Sequence, residues 1–343
     1  MRAALLRAPN DLVLADIHDP APEPGGLVVR VRAATICGTD IRILTGRKTA
    51  GVRFPSVLGH EFSGVVAESR SERFVRGDPV CVNPAIACGA CEACQRGREN
   101  LCMRLTAMGY ELDGAFAELV SVPARAVAAG NVLPLPEGLS FAEAALAEPL
   151  ACVINGQEKV SLGRGDGVVV LGAGPIGLLH VALARHSGAR RIVVSEPNPA
   201  RRRAALDLGA DAVIDPGAED VSAAVRARCG GSGADVIIAA IGVPHLAQDA
   251  VRLARPGGRV SLFAGFTRGE TAALDVNAIH YGELIVTGAF GLMRRQFGQA
   301  LDLLASGRIG AAPLLSHRFP LDGAADALRL AASGAALKVA IEG

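Results

Sequence analysis

Hydrophobic and polar residues alternate in two different ways along this chain, and the two patterns predict two kinds of domain. Up to about Ala151 the apolar runs are short and are broken by Gly and Pro, which is typical of an irregular, mainly antiparallel β domain. From Gly167 onward, fully apolar runs alternate with amphipathic segments. Such a succession indicates a parallel sheet covered by helices on both faces.

The same pattern predicts where individual elements lie. The first part should contain strands at 27–31, 64–67, 79–82 and 115–122. The second part should contain strands at 168–171, 192–195, 212–214, 236–240, 259–263 and 285–287. Helices are expected at 175–186, 199–208, 218–228, 246–254, 297–306 and 324–332. Between the two parts, Ser140 and Glu143 have the spacing of a capping box, so a helix should begin there and break near Glu148-Pro149.

The length and net charge of the chain limit the kinds of molecule that it is expected to bind. A chain of 343 residues suggests two domains or one large one, and a formal net charge of +1 favours neither nucleic acid nor an anionic membrane as the main partner. We therefore expect a small-molecule ligand. The N-terminal residues lack the pattern of a signal peptide, and the apolar run 167–184 is interrupted by His180 and by glycines. These features predict a cytoplasmic protein without a membrane span.

A glycine-rich motif follows the first predicted strand of the second part. Gly172, Gly174 and Gly177 form a G-x-G-x-x-G motif, with Pro175 and Ile176 between the last two glycines. Between a strand and a helix, such glycines allow a tight turn, the close approach of a pyrophosphate and close helix packing. The motif predicts a dinucleotide site in a Rossmann fold, and a glycine-rich turn without a ligand is the alternative.

The residues after the next predicted strand bear on the choice between NAD and NADP. Glu196 lies about twenty residues past the last glycine, where a carboxylate binds the adenosine ribose hydroxyls. Because a carboxylate there repels a 2′-phosphate, Glu196 favours NAD. Arg201, Arg202 and Arg203 follow closely and could accommodate that phosphate, so NADP is the less favoured alternative.

Four cysteines are clustered in the first part, at Cys88, Cys91, Cys94 and Cys102. Four thiolates in a short segment can close a tetrahedral zinc site with no open position, which makes such a site structural. An iron-sulfur cluster of the bacterial type would need a shorter last spacing and a following proline. Disulfides are unusual in a cytosolic protein, so the segment predicts structural zinc.

A second set of potential metal ligands is spread along the first part. Cys37, His60 and Glu61 offer a thiolate, an imidazole and a carboxylate, and Glu148 could add a second carboxylate. Three such ligands around an open position form a catalytic zinc site. The alternative is ordinary loop residues, a buried cysteine and a solvent-exposed Glu148.

Together these residues resemble the zinc-dependent medium-chain alcohol dehydrogenases, and within them the polyol (sorbitol-like) and threonine dehydrogenase branch. The resemblance covers nearly the whole chain. It is carried by Cys37-Gly38-Thr39-Asp40, Gly59-His60-Glu61-Phe62-Ser63-Gly64, the four-cysteine segment, Glu148-Pro149-Leu150 and the glycine motif.

The resemblance implies an α/β protein, with a Rossmann doubly wound parallel sheet and a discontinuous, mainly-β catalytic domain related to chaperonin-10. The catalytic domain would comprise 1–151 and 288–343, with a structural-zinc lobe at about 85–105, and the Rossmann domain 152–287. Two zinc ions per subunit are implied, the catalytic one held by Cys37, His60 and the carboxylate of Glu61 or Glu148, which exchange with water. A homotetramer is implied, with a dimer as the alternative.

The resemblance also implies a reaction. A secondary alcohol, such as a polyol, sugar alcohol, cyclitol or amino alcohol, gives hydride to the nicotinamide, and Thr39 takes the hydroxyl proton. The family's relay normally continues to a histidine where this chain has Arg42, which cannot act as a base because it stays protonated. We expect water or a zinc-bound carboxylate to carry the proton, or Arg42 to bind the cofactor or an anionic substrate.

Two other functions fit parts of the sequence. One is an NADP-dependent carbonyl or alkene reductase of the same superfamily without zinc, which would have no need of Cys37, His60 and Glu61 together. The other is a non-catalytic zinc-binding module, which would have no need of the complete glycine motif. Substrate-pocket candidates such as Glu111, Phe266 and Phe290 match no substrate-specific pattern.

Overall fold

The structure is a computed structural model that describes residues 1–343. The chain folds into two compact units, and each contains segments that are distant in sequence. The first unit comprises Met1–Ala151, Leu292–Gly307 and Ala311–Gly343, and the second comprises Cys152–Gly291 and Arg308–Gly310. None of the helices combines the length and the hydropathy that crossing a lipid bilayer requires.

The first 159 residues contain ten strands and five helices, the last of which crosses the boundary between the units. The strands are β1 (Arg2–Ala8), β2 (Asp11–Asp16), β3 (Leu27–Thr35), β4 (Ser56–Val57), β5 (Glu61–Ser69), β6 (Pro79–Val82), β7 (Ala85–Ile86), β8 (Thr106–Ala107), β9 (Leu119–Val122) and β10 (Val132–Pro134). The helices are α1 (Gly38–Leu44), α2 (Glu92–Gln95), α3 (Ala124–Ala129), α4 (Phe141–Ala145) and α5 (Ala147–Lys159), and a 3-10 turn spans Glu99–Leu101.

The remaining elements begin with the parallel sheet of the second unit. The strands are β11 (Gly167–Leu171), β12 (Arg191–Ser195), β13 (Ala212–Ile214), β14 (Ala234–Ala239), β15 (Ala254–Leu262), β16 (Ile285–Gly288), β17 (Leu315–Pro320) and β18 (Lys338–Glu342). The helices are α6 (Pro175–His186), α7 (Pro199–Asp207), α8 (Val221–Cys229), α9 (Pro244–Leu253), α10 (Val276–Tyr281), α11 (Arg294–Ala305) and α12 (Ala324–Ser333). Further 3-10 turns span Ala312–Leu314 and Leu321–Gly323.

The first unit is built on a seven-stranded sheet that joins the two ends of the chain. Its order is β10-β6-β5-β3-β18-β17, with β9 also paired to β3. In β3 most side chains are buried, and large apolar residues such as Phe62, Phe116 and Leu328 fill the core around it. Because β18 pairs with β3, and β3 with β5, residues from opposite ends of the sequence meet at one edge of these strands.

The second unit contains a six-stranded sheet in which every strand pair is parallel. Its order is β13-β12-β11-β14-β15-β16, which is the doubly wound order in which a nucleotide binds beyond the carboxyl ends of the strands. All five residues of β11 are buried, as expected for a central parallel strand. The predicted combination of a Rossmann sheet with a mainly-β domain is thus confirmed.

Some predicted boundaries were wrong. The strand expected at 115–122 covers only β9, because the amides of Ala115 and Phe116 donate to Gly59 and Leu58 carbonyls instead of a sheet neighbour. The helix expected to break near Glu148-Pro149 ends earlier, at Ala145, and α5 begins at Ala147. Pro149 is tolerated there because the first turn of a helix leaves its N–H groups unbonded.

Candidate active site

Three potential metal ligands converge in the first unit. Cys37 precedes α1, His60 precedes β5, and Glu61 is the first residue of β5. The Cys37 thiol, a His60 ring nitrogen and a Glu61 carboxylate oxygen all lie within 4.8 Å of one another. Gly59 makes the turn before them possible, since its φ is +93° and a Cβ would lie 2.5 Å from the Phe116 ring. The sequence prediction that these residues lie together therefore agrees with the geometry.

Asp40 connects the two segments that carry Cys37 and His60. Its buried carboxylate accepts hydrogen bonds from the Cys37 amide at 2.8 Å and from the Gly59 amide at 3.4 Å. Asp40 Oδ1 also lies 3.3 Å from His60 Nδ1, without the alignment of a hydrogen bond. A carboxylate beside one ring nitrogen favours metal binding by the other, so Asp40 is suited to orient His60. The sequence motif Cys37-Gly38-Thr39-Asp40 contains Asp40, but the motif alone did not predict this orienting role.

The surroundings of His60 favour a cation. Burial lowers the pKa of His60, but the nearby acidic groups of Tyr110, Asp40 and Cys37 outweigh it and raise that pKa well above its usual value. The Tyr110 ring lies 5.3 Å from the His60 ring, and burial is the main reason why the pKa of Tyr110 is raised. Thiolate, imidazole and carboxylate ligands in an environment that attracts positive charge fit a zinc ion.

Glu61 has a second cationic partner that the sequence did not predict. Lys338 Nζ lies 2.8 Å from Glu61 Oε1 and 2.6 Å from Glu61 Oε2, and the Thr35 hydroxyl donates to Oε2. All three side chains are buried. Burial lowers the pKa of Lys338, but attraction by Glu61, with smaller effects of Cys37 and Glu148, raises it overall. A metal held by Cys37 and His60 would therefore compete with Lys338 for the Glu61 carboxylate.

Glu148 lies near this cluster but is not one of its three converging ligands. It occupies the first turn of α5, and its charge contributes to the raised pKa values of Lys338 and Tyr110. The group whose ligand atoms lie within 4.8 Å of one another contains Cys37, His60 and Glu61 only. Glu61 is thus the closer of the two candidate carboxylates in this structure.

Thr39 and Arg42 lie on α1 directly after Cys37. Arg42 Nη2 donates to Thr39 Oγ1 at 3.1 Å. A hydroxyl oxygen has two lone pairs, so Thr39 keeps one acceptor position and its own proton. Arg42 therefore stands where the relay histidine was expected and fixes the threonine hydroxyl instead of removing its proton.

The four clustered cysteines of the first unit form a second possible metal site. The Sγ atoms of Cys88, Cys91, Cys94 and Cys102 lie within 4.8 Å of one another, and the closest pairs are separated by 3.5 Å to 4.0 Å. A tetrahedral zinc with bonds of about 2.3 Å separates its sulfurs by about 3.8 Å, so the spacing fits that ion. All four cysteines are free rather than disulfide-bonded.

The thiols of this lobe are prepared for metal binding to different degrees. Backbone amides of Ala90 and Cys91 lower the pKa of Cys88 to about 5. Burial, followed by the neighbouring thiols, raises the pKa of Cys94 to about 12. Four thiolates at this spacing repel one another, and only a bound cation offsets that repulsion. The lobe is therefore suited to structural zinc.

In the second unit, the glycine motif joins β11 to α6 as predicted. Gly172 donates its amide to the Ser195 carbonyl, and a Cβ on Gly177 would lie 2.0 Å from the Gly172 carbonyl oxygen. Gly174, by contrast, has no atom within 4 Å of an added Cβ. It caps α6, with Pro175 at the start of the helix and Ile176 in the first turn. Open space at a helix N-terminus suits a pyrophosphate.

Glu196 follows β12 and is held in place by backbone amides. Its Oε2 accepts from Ala173 at 2.7 Å and its Oε1 from Asn198 at 2.9 Å. Arg202 pairs with Asp215 at 2.9 Å and Arg203 with Asp207 at 3.1 Å, whereas the Arg201 amide donates to Asn198. Arg202 and Arg203, which could otherwise bind a 2′-phosphate, are thus both paired with carboxylates.

The substrate-pocket candidates are less informative. Glu111 lies in the first unit, where its Oε2 accepts from the Ala107 amide at 2.9 Å. Phe266 and Phe290 belong to the second unit, and Phe290 is 63% exposed. Their geometry assigns no substrate.

Comparison with known proteins identifies the family. Residues 23–136 match the model of the alcohol dehydrogenase GroES-like domain, and residues 175–306 match that of the zinc-binding dehydrogenases. The chain is 35% identical over 322 residues to L-galactonate-5-dehydrogenase of Escherichia coli K12, covering 93% of this chain and 92% of that protein. It is 36% identical over 313 residues to L-threonine 3-dehydrogenase of Pyrococcus furiosus, covering 89% and 87%.

A solved structure supports the same family assignment. A zinc-binding dehydrogenase from Sinorhizobium meliloti 1021 bound to NADP superimposes with a TM-score of 0.93 at 35% identity, covering 100% of this chain and 99% of that one. The chain therefore belongs to the zinc-dependent medium-chain alcohol dehydrogenases, as the sequence motifs predicted. Within that family it belongs to the polyol and threonine dehydrogenase branch, and it is an oxidoreductase of secondary alcohols.

Proposed function

We propose that this protein oxidises a secondary alcohol with NAD at a zinc ion held by Cys37, His60 and a carboxylate. The observation that carries the proposal is the convergence of the Cys37, His60 and Glu61 ligand atoms within 4.8 Å. Glu61 is the first candidate for the carboxylate, and Glu148 is the candidate to replace it. A zinc-free reductase would have no use for this set of ligands.

Each group of the site has a proposed role in the reaction. Zinc, when bound, supplies a Lewis acid that lowers the pKa of the alcohol, and NAD supplies the hydride acceptor. Asp40 holds the Cys37 segment and the Gly59 turn together. Thr39 Oγ1 accepts the proton of the alcohol at its free lone pair, since Arg42 occupies only one of the two, and it releases its own proton at the same time. Because Arg42 cannot take that proton onward, water or the zinc-binding carboxylate carries it.

NAD would bind at the glycine motif, with Glu196 close to its adenosine ribose. The carboxylate of Glu196, and the pairing of Arg202 and Arg203 with acidic residues, support NAD over NADP. The related Sinorhizobium structure is bound to NADP, which is an observation in favour of NADP. Arg201 stays a predicted cofactor-binding residue.

Gly174→Ala should weaken cofactor binding without weakening the fold. The added methyl group has no protein atom within 4 Å, so it fills only the space proposed for the pyrophosphate. We expect the Kd for NADH, measured by fluorescence titration, to rise about tenfold or more, the equivalent of one lost charge-assisted hydrogen bond. The melting temperature should stay within a few degrees of wild type. An unchanged Kd would place the cofactor elsewhere.

Arg42→His should change the use of the cofactor more than that of the alcohol. We propose that Arg42 contacts the phosphates or the ribose of NAD, because its guanidinium has no carboxylate partner and donates only to Thr39. The expected result is a KM for NAD raised about tenfold, from the loss of one charge-assisted hydrogen bond. Steady-state kinetics with both substrates varied would measure it. A KM for NAD equal to that of wild type would exclude the contact.

The four-cysteine lobe would hold a structural zinc, which makes two zinc ions per subunit. Its proposed role is to support stability or assembly, since a closed tetrahedral site offers no position for a substrate. The proposed catalytic domain comprises 1–151 and 288–343, and the proposed Rossmann domain 152–287. A cytoplasmic location stays a prediction.

We also propose a homotetramer, with a dimer as the alternative. β16 is an edge strand of the parallel sheet, and three large apolar residues on it or on the preceding helix α10 are exposed: Val276 by 72%, Tyr281 by 80% and Ile285 by 58%. An exposed apolar edge of this kind favours pairing with another chain. Light scattering on the purified protein decides between four, two and one subunits.

An activity panel tests the proposed function directly. Polyols, sugar alcohols, cyclitols and amino alcohols would each be assayed with NAD and with NADP, following absorbance of the reduced cofactor. We expect NAD reduction with at least one class, and its loss after zinc is removed by a chelator. A protein with a full complement of zinc that reduces neither cofactor with any class would support the non-catalytic zinc module instead.

A further inference from the structure

The segment between the catalytic residues is unusually basic. From Ile41 to His60 there is no acidic residue, whereas Arg42, Arg47, Lys48 and Arg53 are all cationic. Arg53 pairs with Asp113 at 2.6 Å, but the other three form no ion pair. Cations that lack a partner in the folded protein are available to an anionic ligand.

Lys48 is the member of this group that faces the proposed zinc site. Its ammonium lies 5.2 Å from the centre of the Tyr110 ring, and that ring lies 5.3 Å from the His60 ring. The backbone fixes its position, because the Lys48 amide donates to the Arg42 carbonyl at 2.9 Å. The only hydrogen-bond acceptor of Lys48 Nζ is the Ala50 carbonyl, at 3.4 Å. An ammonium has three donors, so most of its capacity is unused.

Glu111, whose Oε1 lies 2.9 Å from a Cβ built on Gly51, is a carboxylate of the same region that does not pair with Lys48. Glu111 Oε2 accepts a hydrogen bond from the Ala107 amide, and the two side chains form no ion pair. Lys48 is also only half-buried, so its ammonium is accessible to a ligand. A single unpaired ammonium laid across an aromatic ring next to a catalytic histidine is suited to recognise a charge on the substrate.

On the basis of the proposed dehydrogenase function, we propose that Lys48 binds a carboxylate of the substrate, so that the preferred substrates are hydroxy acids. The two ring distances together place Lys48 Nζ within about 10.5 Å of the His60 ring centre. Four carbon–carbon bonds of about 1.5 Å span roughly 5 Å when extended. A hydroxy acid of several carbons that is bound at the proposed zinc site can therefore extend its carboxylate towards Lys48.

A matched pair of substrates isolates the contribution of Lys48. An aldonate and the alditol with the same carbon skeleton and stereochemistry differ in carrying a carboxylate or a neutral hydroxymethyl group. In Lys48→Met, which keeps the apolar stem, we expect the ratio of kcat/KM for aldonate over alditol to fall about 10- to 100-fold, the loss of a hydrogen bond between two charged groups. The change should lie mainly in KM for the aldonate, since binding of a remote group is lost.

Control variants separate this role from a structural one. Arg47→Met removes a charge from the same segment without a contact to Tyr110, and it should leave the ratio within about twofold of wild type. Lys48→Arg keeps the charge and should retain most of the preference. Calorimetric titration of the enzyme–NADH complex with the aldonate gives a readout independent of turnover, and Lys48→Met should weaken this binding by the same factor as KM.

The outcomes distinguish this inference from the function on which it rests. Equal losses for aldonate and alditol, or a raised KM for NAD alone, would show that Lys48 supports the fold or the cofactor, and would overturn the inference. A wild-type enzyme that prefers alditols would also overturn it, while leaving the dehydrogenase function intact. A zinc-loaded wild type that oxidises neither class, nor any other alcohol of the panel, would overturn both.

Discussion

Replacing His60 with alanine is expected to abolish alcohol oxidation while the cofactor still binds. His60 is buried, lies beside Asp40 and converges with Cys37 and Glu61. Without its imidazole, the site retains one thiolate and one carboxylate, and that carboxylate is already engaged by Lys338. Lewis-acid assistance is worth several kcal/mol, so turnover should fall by about a thousandfold or more.

Three measurements on His60→Ala separate this mechanism from a loss of structure. The zinc content should fall by one ion per subunit, the Kd for NADH should stay close to wild type, and the circular dichroism spectrum should be unchanged. His18→Ala is the matched control, because His18 is an exposed histidine of the same unit. Near wild-type turnover in His60→Ala would exclude His60 as a zinc ligand.

Lys338→Met should have the largest effect on stability. Lys338 is 4% exposed and Glu61 is fully buried, and their charged atoms are 2.6 Å to 2.8 Å apart. Removing one partner of a buried ion pair leaves the other charge uncompensated, at a cost of about 3–5 kcal/mol. We expect the free energy of unfolding of the zinc-free protein, measured with a denaturant at pH 7, to fall by about that amount.

The ion pair of Lys338 and Glu61 also determines the pH of this experiment and its control variants. Because the folded pKa of Lys338 lies above its usual value of 10.5, the stabilisation is fully present at pH 7 and is lost only as pH rises through that raised value. Lys338→Arg keeps the charge and should lose less. The double variant Lys338→Met/Glu61→Gln should recover part of the loss, because no buried charge remains. If Lys338→Met lowered the free energy of unfolding no more than Lys48→Met does, Lys338 and Glu61 would not form a stabilising buried ion pair.

Bound zinc should reduce the effect of Lys338→Met, because the metal and the lysine are alternative partners for Glu61. The variant should therefore depend more strongly on zinc for its stability than the wild type does. Comparing the melting temperatures of both proteins with and without a chelator would measure this difference. Equal decreases in the two proteins would indicate that Glu61 does not bind the metal.

The features that the sequence predicted well are those encoded locally. The glycine motif, the four cysteines and the apolar runs of the parallel strands each lie within a few residues of one another, so their spacing alone defines their geometry. Strand β13 and helix α6 have the predicted bounds. A central parallel strand is buried on both faces, so it produces a continuous apolar run that is easy to recognise.

The features that the sequence did not predict depend on contacts between distant segments. Lys338 lies 277 residues from Glu61, and only the pairing of β18 with β3, and of β3 with β5, brings them together. In that register Thr35 lies opposite both Glu61 and Ala340. Nothing near Lys338 in the sequence indicates a buried charge, because an isolated lysine before an apolar run usually lies in solvent.

The zinc content of the purified protein, measured by elemental analysis, is the most direct test of the hypothesis that each subunit has two zinc sites. Two sets of ligands with different roles, one at Cys37, His60 and Glu61 and one at the four cysteines, predict two zinc ions per subunit. The His60→Ala variant should retain one. A wild-type protein that binds one zinc or none after reconstitution with excess metal would contradict it.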